Sequence, residues 1–151
     1  MTRFSLDSNI LVYAADMASP PHQASAQQIV DASAERDCVL TAQAIAEFFH
    51  ATTRKRLAKR MHATRLVRDW TRLFQVAGPG AAELLAAVDA SNDGRFQFFD
   101  ALLLATAGAA GCTAVISEDM HPGATLGGVR VMAAFDPAGG IAADARGLLG
   151  L

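Results

Sequence analysis

The sequence predicts an α/β protein, a three-layer α/β/α sandwich with a central parallel sheet. Short apolar runs alternate along the chain with longer segments whose apolar residues have helical spacing. Most of the short runs are apolar throughout rather than at every second residue, which is typical of strands buried on both faces. With 151 residues, 52% of them hydrophobic, the chain is large enough for one domain with its own core.

The chain begins with a predicted strand followed by two predicted helices. The alternation of Arg3-Phe4-Ser5-Leu6 favours a short strand, and the polar Asp7-Ser8-Asn9 that follows can start a helix over residues 10–15. Pro20-Pro21 then precede apolar residues at helical spacing, which predict a helix over residues 23–35. A strand-to-helix junction is therefore expected at Asp7.

A second strand-to-helix junction is expected at Thr41. Cys38-Val39-Leu40 is an apolar run of strand type, and Thr41 is a favourable N-cap for a helix over residues 42–54. The next helix is predicted over residues 63–76. Its apolar face, which is expected to pack inward, comprises Leu66, Val67, Trp70 and Leu73.

The second half of the chain is predicted to continue the alternation of helices and strands. Composition predicts a helix over residues 81–90, a turn over 91–94 and a strongly apolar helix over 98–110. Apolar runs predict strands over residues 114–117 and 129–135. Helices between strands are the connections that a parallel sheet requires.

The domain is expected to span residues 1–136, followed by a loosely ordered, Ala/Gly-rich tail over 137–151. Cys38 and Cys112 lie in apolar contexts without the spacing of a zinc site, so both are predicted to be buried free thiols in a reducing cytosol. The longest apolar stretch is interrupted by Asp100 and glycines, and the N-terminal apolar run is short and flanked by acids. A cytoplasmic protein without a membrane partner is therefore expected.

Acidic residues recur where the parallel strands are expected to end. Asp7 closes the first strand, and Asp119 follows the strand over residues 114–117. Glu47 and Asp100 lie in helices that begin at the same edge of the sheet, where ligands bind in open α/β folds. Each acid stands among apolar neighbours, where clustered negative charges are costly unless a cation lies between them.

A hard divalent cation is the simplest partner for these carboxylates. No histidine or cysteine occurs at matching positions, which favours Mg²⁺ or Mn²⁺ over zinc. Such a site supports phosphodiester hydrolysis, because the metal orients a water molecule, lowers its pKa and neutralises charge on the leaving oxygen. Each acid by itself is also typical of a helix cap or a surface charge, so the prediction depends on their joint placement.

Four segments of the chain carry a resemblance to a known family. They are LDSNILVYA at 6–14, TAQAIAEFFHATTRK at 41–55, FFDALLLATAGAAGC at 98–112 and ISEDMHPG at 116–123, followed by VRVMAAF. In this order and spacing they resemble the PIN-domain ribonucleases, in particular the VapC-like toxins of bacterial type II toxin–antitoxin pairs. The likeness extends roughly from Met1 to Phe135.

The resemblance implies a compact α/β/α fold and cleavage of RNA with Mg²⁺ as cofactor. It also implies homodimers and a cognate antitoxin that silences the site. The family's four metal-binding, catalytic acids fall on Asp7, Glu47, Asp100 and Asp119. Adjacent Glu118 is the alternative for the last of them. Polar neighbours of the metal site match Asn9 and Ser117, whose side chains are implied to hold the carboxylates or a metal-bound water.

A basic segment supplies a separate argument for an RNA substrate. Eight of the 13 Lys and Arg residues lie within residues 54–72, where Asp69 is the only acid. Three of them share a helical face that is expected to be exposed, namely Arg65, Arg68 and Arg72. With Arg54, they are the predicted RNA contacts, because phosphate contacts supply most sequence-independent affinity. The same charges would also suit a solvated helical hairpin or the docking of an acidic antitoxin segment.

Two other α/β classes collect acids at the same sheet edge: response-regulator receivers and haloacid-dehalogenase-like phosphatases. Both use a lysine late in the chain, whereas the only lysines here are Lys55 and Lys59. Asp7-Ser8-Asn9 also lacks the second aspartate of the phosphatase motif.

The alternative to a ribonuclease is a PIN-like module that binds RNA or protein without turnover, and four intact acids favour the enzyme.

Overall fold

Six strands and seven helices make up the computed structural model, which describes residues 1–151. The strands are β1 Phe4–Leu6, β2 Val39–Thr41, β3 Gln75–Ala77, β4 Ala114–Ser117, β5 Thr125–Leu126 and β6 Val129–Ala133. The helices are α1 Ser8–Ala15, α2 Pro20–Ala34, α3 Ala42–Arg54, α4 Arg60–Leu73, α5 Ala81–Asn92, α6 Phe98–Ala109 and α7 Ala143–Leu149.

The central sheet has the strand order β1-β4-β6-β5. Strands β1, β4 and β6 are parallel, and the short β5 is the antiparallel partner of β6. Strands β2 and β3 form a parallel pair, and a parallel bridge between Phe4 and Cys38 joins this pair to β1. The predicted three-layer α/β/α fold is confirmed, with a sheet that is mostly rather than entirely parallel.

The main hydrophobic core lies along the parallel strands. Every residue of β1, β2 and β4 is buried, including Ser5, Thr41 and Ser117, as is typical of strands covered on both faces. The largest cluster joins 31 buried residues from the strands and the inner faces of the helices. Phe4, Leu6, Leu40 and Ile116 at its centre are fully buried. The carboxyl ends of β1, β2 and β4 are therefore positioned by strands that are packed in the core.

The helix predicted over residues 63–76 is placed incorrectly at both ends. It runs from Arg60 to Leu73, and the residues after it form β3, which pairs with β2. Trp70 packs inward as predicted, with its ring 4.6 Å from that of Phe48. The inward packing of Leu73 is wrong, because its side chain is 64% exposed. The apolar periodicity continues past Leu73, but the residues that follow pair with β2 instead of continuing the helix.

The prediction of a loosely ordered tail is wrong. Residues 143–149 form α7, in which Ala145 and Leu149 are buried in the main core. Ile141 is also buried and forms an antiparallel bridge with Phe135. These contacts offset the low ordering tendency of a segment rich in alanine and glycine. The division of the chain at residue 136 stays a prediction.

Both cysteines, Cys38 and Cys112, are buried free thiols, as predicted. None of the seven helices combines the length and the apolar character that are needed to cross a membrane. The cytoplasmic location stays a prediction.

Candidate active site

Asp7 lies at the first strand-to-helix junction, where the sequence places it. The pairing of Leu6 with Ile116 brings Asp7 beside Ser117 at the carboxyl ends of β1 and β4. The Ser117 hydroxyl donates to Asp7 Oδ2 at 2.7 Å, and the backbone N–H of Ser8 donates to Asp7 Oδ1 at 2.7 Å. Asn9 Nδ2 donates to Oδ2 at 3.4 Å. Asp7 therefore caps α1 while its carboxylate is held from three sides.

Burial dominates the electrostatics of Asp7. The residue is only 7% exposed, and its pKa is raised to about 6, chiefly because burial disfavours the charged form. The hydrogen bonds from Ser117 and Ser8 lower this pKa, whereas the negative charges of Asp100 and Glu47 raise it. The pKa of Asp7 thus depends on two other candidate acids, although these lie on different helices.

Thr41 starts α3, the helix that carries Glu47. Its Oγ1 accepts a hydrogen bond from the backbone N–H of Ala44 at 3.1 Å, which confirms the predicted N-cap. Glu47 is exposed, and both of its carboxylate oxygens have partners. Ser8 Oγ donates to Oε2 at 3.2 Å, and Gln43 Nε2 donates to Oε1 at 2.6 Å. Glu47 is therefore tied to α1 as well as to its own helix.

Asp100 lies in the first turn of α6 and is partly buried. Burial raises its pKa most, and the charges of Asp119 and Glu47 raise it further. No lysine or arginine offsets this repulsion. The only two ion pairs of the chain, Arg3–Asp37 and Arg95–Asp93, do not involve any of the four candidate acids.

Two adjacent acids follow β4, and their surroundings differ. Asp119 is exposed, and its charge raises the pKa of Asp100. Glu118 instead accepts a hydrogen bond from the Tyr13 hydroxyl at 3.2 Å, and its backbone N–H donates to Asn9 Oδ1 at 3.5 Å. The coupling to Asp100 favours Asp119 as the fourth acid, an assignment that stays a prediction.

The donor chemistry of this edge fits a hard divalent cation. The available atoms are carboxylate oxygens supported by the Ser8 and Ser117 hydroxyls, and Asp7, Glu47 and Asp100 repel one another. The side chains do not form a ready-made cage. No three Asp, Glu, His or Cys side chains of the chain are arranged to hold a metal ion as they stand.

A cavity of about 430 Å³ opens beside Asp119, within the size range of small-ligand pockets. Ser8, Asn9, Tyr13 and Asp119 line its walls, and Lys55 is the one basic residue there. Tyr13 is held in place by a stacked His22 ring at 4.9 Å. The cavity therefore groups the Lys55 ammonium and the Tyr13 ring with Asp119, whereas Asp7, Glu47 and Asp100 do not line it.

The predicted basic face on α4 is exposed and lines a groove of about 380 Å³. The groove is formed by Met61, Thr64, Arg65, Arg68, Asp69 and Arg72. Arg54 is also exposed, and it lies two helical turns beyond Glu47 on α3, about 10 Å along the axis. Helix α4 packs against α3 through Trp70, whose ring meets that of Phe48, and the three arginines lie on the exposed side of α4.

Ser8, Gln43 and Lys55 are neighbours of the acids that sequence reasoning did not assign to the site. Gln43 precedes Glu47 by four residues on a helix, a spacing at which side chains meet, so it could have been found. The contact between Ser8 and Glu47 joins residues that are 39 positions apart. Only the tertiary fold reveals it.

Comparison with known families gives one match. A family model described as the PIN domain matches residues 5–121. The matched region extends from β1 to the residues that follow β4, and it includes all four candidate acids. No individual curated protein matches the chain.

Proposed function

Because the chain belongs to the PIN domain family, whose members are generally nucleases, we propose that it is a metal-dependent endoribonuclease that hydrolyses RNA phosphodiester bonds. The observation that carries this proposal is the electrostatic coupling of Asp7, Glu47 and Asp100 at one edge of the sheet. Three acids from different helices that repel one another without a basic partner form a site suited to a cation.

The proposed cofactor is Mg²⁺, with Mn²⁺ as a possible substitute. The residues that would hold it are Asp7, Glu47, Asp100 and Asp119. When bound, the ion would lower the pKa of a water molecule and neutralise negative charge on the phosphodiester. Ser117 and Asn9 would serve the site by donating to Asp7 Oδ2, which orients this carboxylate, and the bond from Ser117 also favours its charged form.

The proposed RNA contacts are Arg54 and the arginines of the α4 groove, Arg65, Arg68 and Arg72. Exposed guanidinium groups pair well with phosphate oxygens, and a row of them binds single strands without sequence preference. This groove would hold the polyanion while the acids act on one phosphodiester.

The sequence likeness supports a more specific role, the toxin of a toxin–antitoxin pair that a cognate antitoxin neutralises in the cytoplasm. A homodimer is part of the same proposal. The apolar side chains of Leu84 and Leu85 on α5 are 46% and 64% exposed, and their burial against a second copy would stabilise such a dimer.

A PIN-like module that binds RNA or protein without turnover is the second candidate. The observation that favours it is the lack of a ready-made cage for a metal ion among the side chains. The two candidates differ in turnover, so cleavage under controlled metal conditions separates them.

The test is cleavage of single-stranded RNA by the purified protein, with Mg²⁺ or Mn²⁺ and then with excess chelator. Asp7→Asn and Asp100→Asn should each reduce cleavage about 100-fold or more, because the amide keeps the size of the side chain but loses the charge that binds metal. Glu47→Gln and Asp119→Asn should also be severely impaired.

Asp89→Asn is the matched control, since Asp89 is an exposed acid on α5 outside the site, and its cleavage should equal that of the wild type. Metal-dependent cleavage that Asp7→Asn leaves intact would contradict the site. RNA binding without any cleavage would favour the module.

A further inference from the structure

A continuous chain of hydrogen bonds connects the three helices that carry the inner acids. Ser8 Oγ donates to Glu47 Oε2 at 3.2 Å, and Gln43 Nε2 donates to Glu47 Oε1 at 2.6 Å. The same Gln43 nitrogen donates to the backbone carbonyl of Phe99 at 2.9 Å. The chain begins at the residue after Asp7 and ends at the residue before Asp100. It therefore links α1, α3 and α6 at the points where their acids project.

The orientation of the Gln43 amide follows from chemistry. Both of its partners, Glu47 Oε1 and the Phe99 carbonyl, are acceptors, so only the NH₂ group can face them. The other end of the amide, Oε1, is buried and has no hydrogen-bond partner. A buried acceptor without a partner is destabilising. Gln43 thus makes its contacts with Glu47 and α6 at some cost to the stability of the fold, because Oε1 is left without a partner.

We propose that Gln43 is a positioning residue that fixes Glu47 relative to Asp100 and thereby sets the metal affinity of the carboxylate site. This inference rests on the proposed function, because it assumes that these carboxylates bind a divalent cation. Glu47 is exposed, and without Gln43 its long side chain would lose the partner of Oε1. Each metal-binding event would then have to order this side chain, which weakens binding.

A purely structural role for Gln43, as a clamp between α3 and α6, makes a different prediction. Loss of a clamp would lower the thermal stability of the metal-free protein and leave the metal affinity of the folded protein unchanged. Loss of a positioning residue would instead weaken metal binding and leave the thermal stability of the metal-free protein nearly unchanged. The two roles are therefore separable without any measurement of catalysis.

The experiment measures binding of Mn²⁺ alone to the whole protein by calorimetry, together with thermal unfolding in chelator. Gln43→Met, which keeps a side chain of similar length, should weaken Mn²⁺ binding about 10-fold or more, the usual effect of removing a partner of a metal ligand. Its melting temperature in chelator should stay close to that of the wild type. Gln43→Asn keeps the amide but shortens the side chain, and it should show the same loss of affinity.

Gln27→Met is the matched control. Gln27 Nε2 donates to the backbone carbonyl of Ala14 at 3.0 Å, which is the same kind of bond between two helices. Neither residue is hydrogen-bonded to a candidate acid. Its Mn²⁺ affinity should equal that of the wild type.

A double-mutant comparison tests whether Gln43 acts through Glu47. In the Glu47→Gln background, Gln43→Met should weaken Mn²⁺ binding much less than it does in the wild type. Wild-type affinity in both Gln43 variants, or an equal loss with and without Glu47, would overturn the inference while leaving the nuclease proposal intact. A wild-type protein that binds no Mn²⁺ would instead contradict the proposed function, and the inference with it.

Discussion

The Ser117 hydroxyl donates to Asp7 Oδ2 at 2.7 Å, although the two residues are 110 positions apart in the chain. Both side chains are buried, and Ser117 Oγ also accepts a hydrogen bond from the backbone N–H of Met120 at 3.2 Å. The hydroxyl therefore has one direction left in which to donate, towards the carboxylate. This bond favours the charged form of Asp7, and burial opposes it.

Ser117→Ala should raise the pKa of Asp7 above about 6, because the variant removes a hydrogen bond that lowers this pKa. A lost bond to a charged group costs about 1.5–3 kcal/mol of unfolding free energy. The cost should be largest above the folded pKa of Asp7 and should shrink as the carboxyl group becomes protonated. Urea unfolding in chelator at about pH 8 and about pH 5 measures this difference.

Ser33→Ala is the control for Ser117→Ala. Ser33 is a buried serine whose hydroxyl donates to the backbone carbonyl of Ile29 at 2.7 Å. The loss of this hydrogen bond should lower the free energy of unfolding by the same amount at both pH values. A Ser117→Ala cost that is equally independent of pH would show that the bond to Asp7 does not affect its titration.

Asp7→Asn should change the pH dependence of stability in the metal-free protein. The folded pKa of Asp7 is about 6, above its ordinary value of 3.8, so the folded state binds this proton more tightly than the unfolded state does. The stability contributed by Asp7 is complete below the unfolded pKa and is lost as the pH rises through about 6. Relative to Asp7→Asn, the wild type should therefore lose stability between about pH 4 and pH 7. Parallel stability curves for the two proteins would contradict the raised pKa.

Asp100→Asn should melt at or above the wild-type temperature in chelator, because the variant removes one of several charges that repel one another. Wild type should gain about 5–10 °C at a metal concentration 100 times the dissociation constant, from the free energy of binding to the folded state. The variant should lose most of that gain. Thermal scans with chelator and with Mn²⁺ measure both effects, and Asp89→Asn should behave as the wild type does.

Replacing the groove arginines Arg65, Arg68 and Arg72 together with Gln should weaken RNA binding. The slope of log affinity against log salt should fall in magnitude by about 0.7 for each lost phosphate contact to a single strand, hence about 2 for all three. Metal affinity should hardly change. The control with equal loss of charge replaces exposed arginines elsewhere, Arg36, Arg130 and Arg146, and should keep most of the salt dependence. Equal slopes for the two triple variants would rule out a specific role for the groove.

The parts of the fold that depend on local chemistry could be predicted from the sequence. Asp7 and Thr41 act as caps because a short polar side chain stands at the carboxyl end of a buried strand in each case. The strand over residues 114–117 has the predicted bounds because its apolar run ends at a polar residue. These junctions also locate the first acid of the site and the start of the helix that bears the second.

The remaining features depend on contacts that no local pattern encodes. The Gln75–Ala77 segment forms a strand by pairing with β2. Helix α7 is held in place by the burial of Leu149 in the main core. In the same way, Gln43 reaches a carbonyl 56 positions later in the chain. Predicting such contacts requires the arrangement of the helices first.

The parallel pairing of β1 with β4 has a consequence for the order of events during folding. Their register joins Leu6 to Ile116, so most of the chain lies in the loop that is closed when these two strands pair. Contacts of such long sequence separation form late and slowly, since the entropy of loop closure is lost before the pairing is gained. Glu47 and Asp100 lie on two separate helices, α3 and α6. The candidate carboxylates thus come together as a group only when β1 has paired with β4, so partly folded chains would lack the proposed metal site.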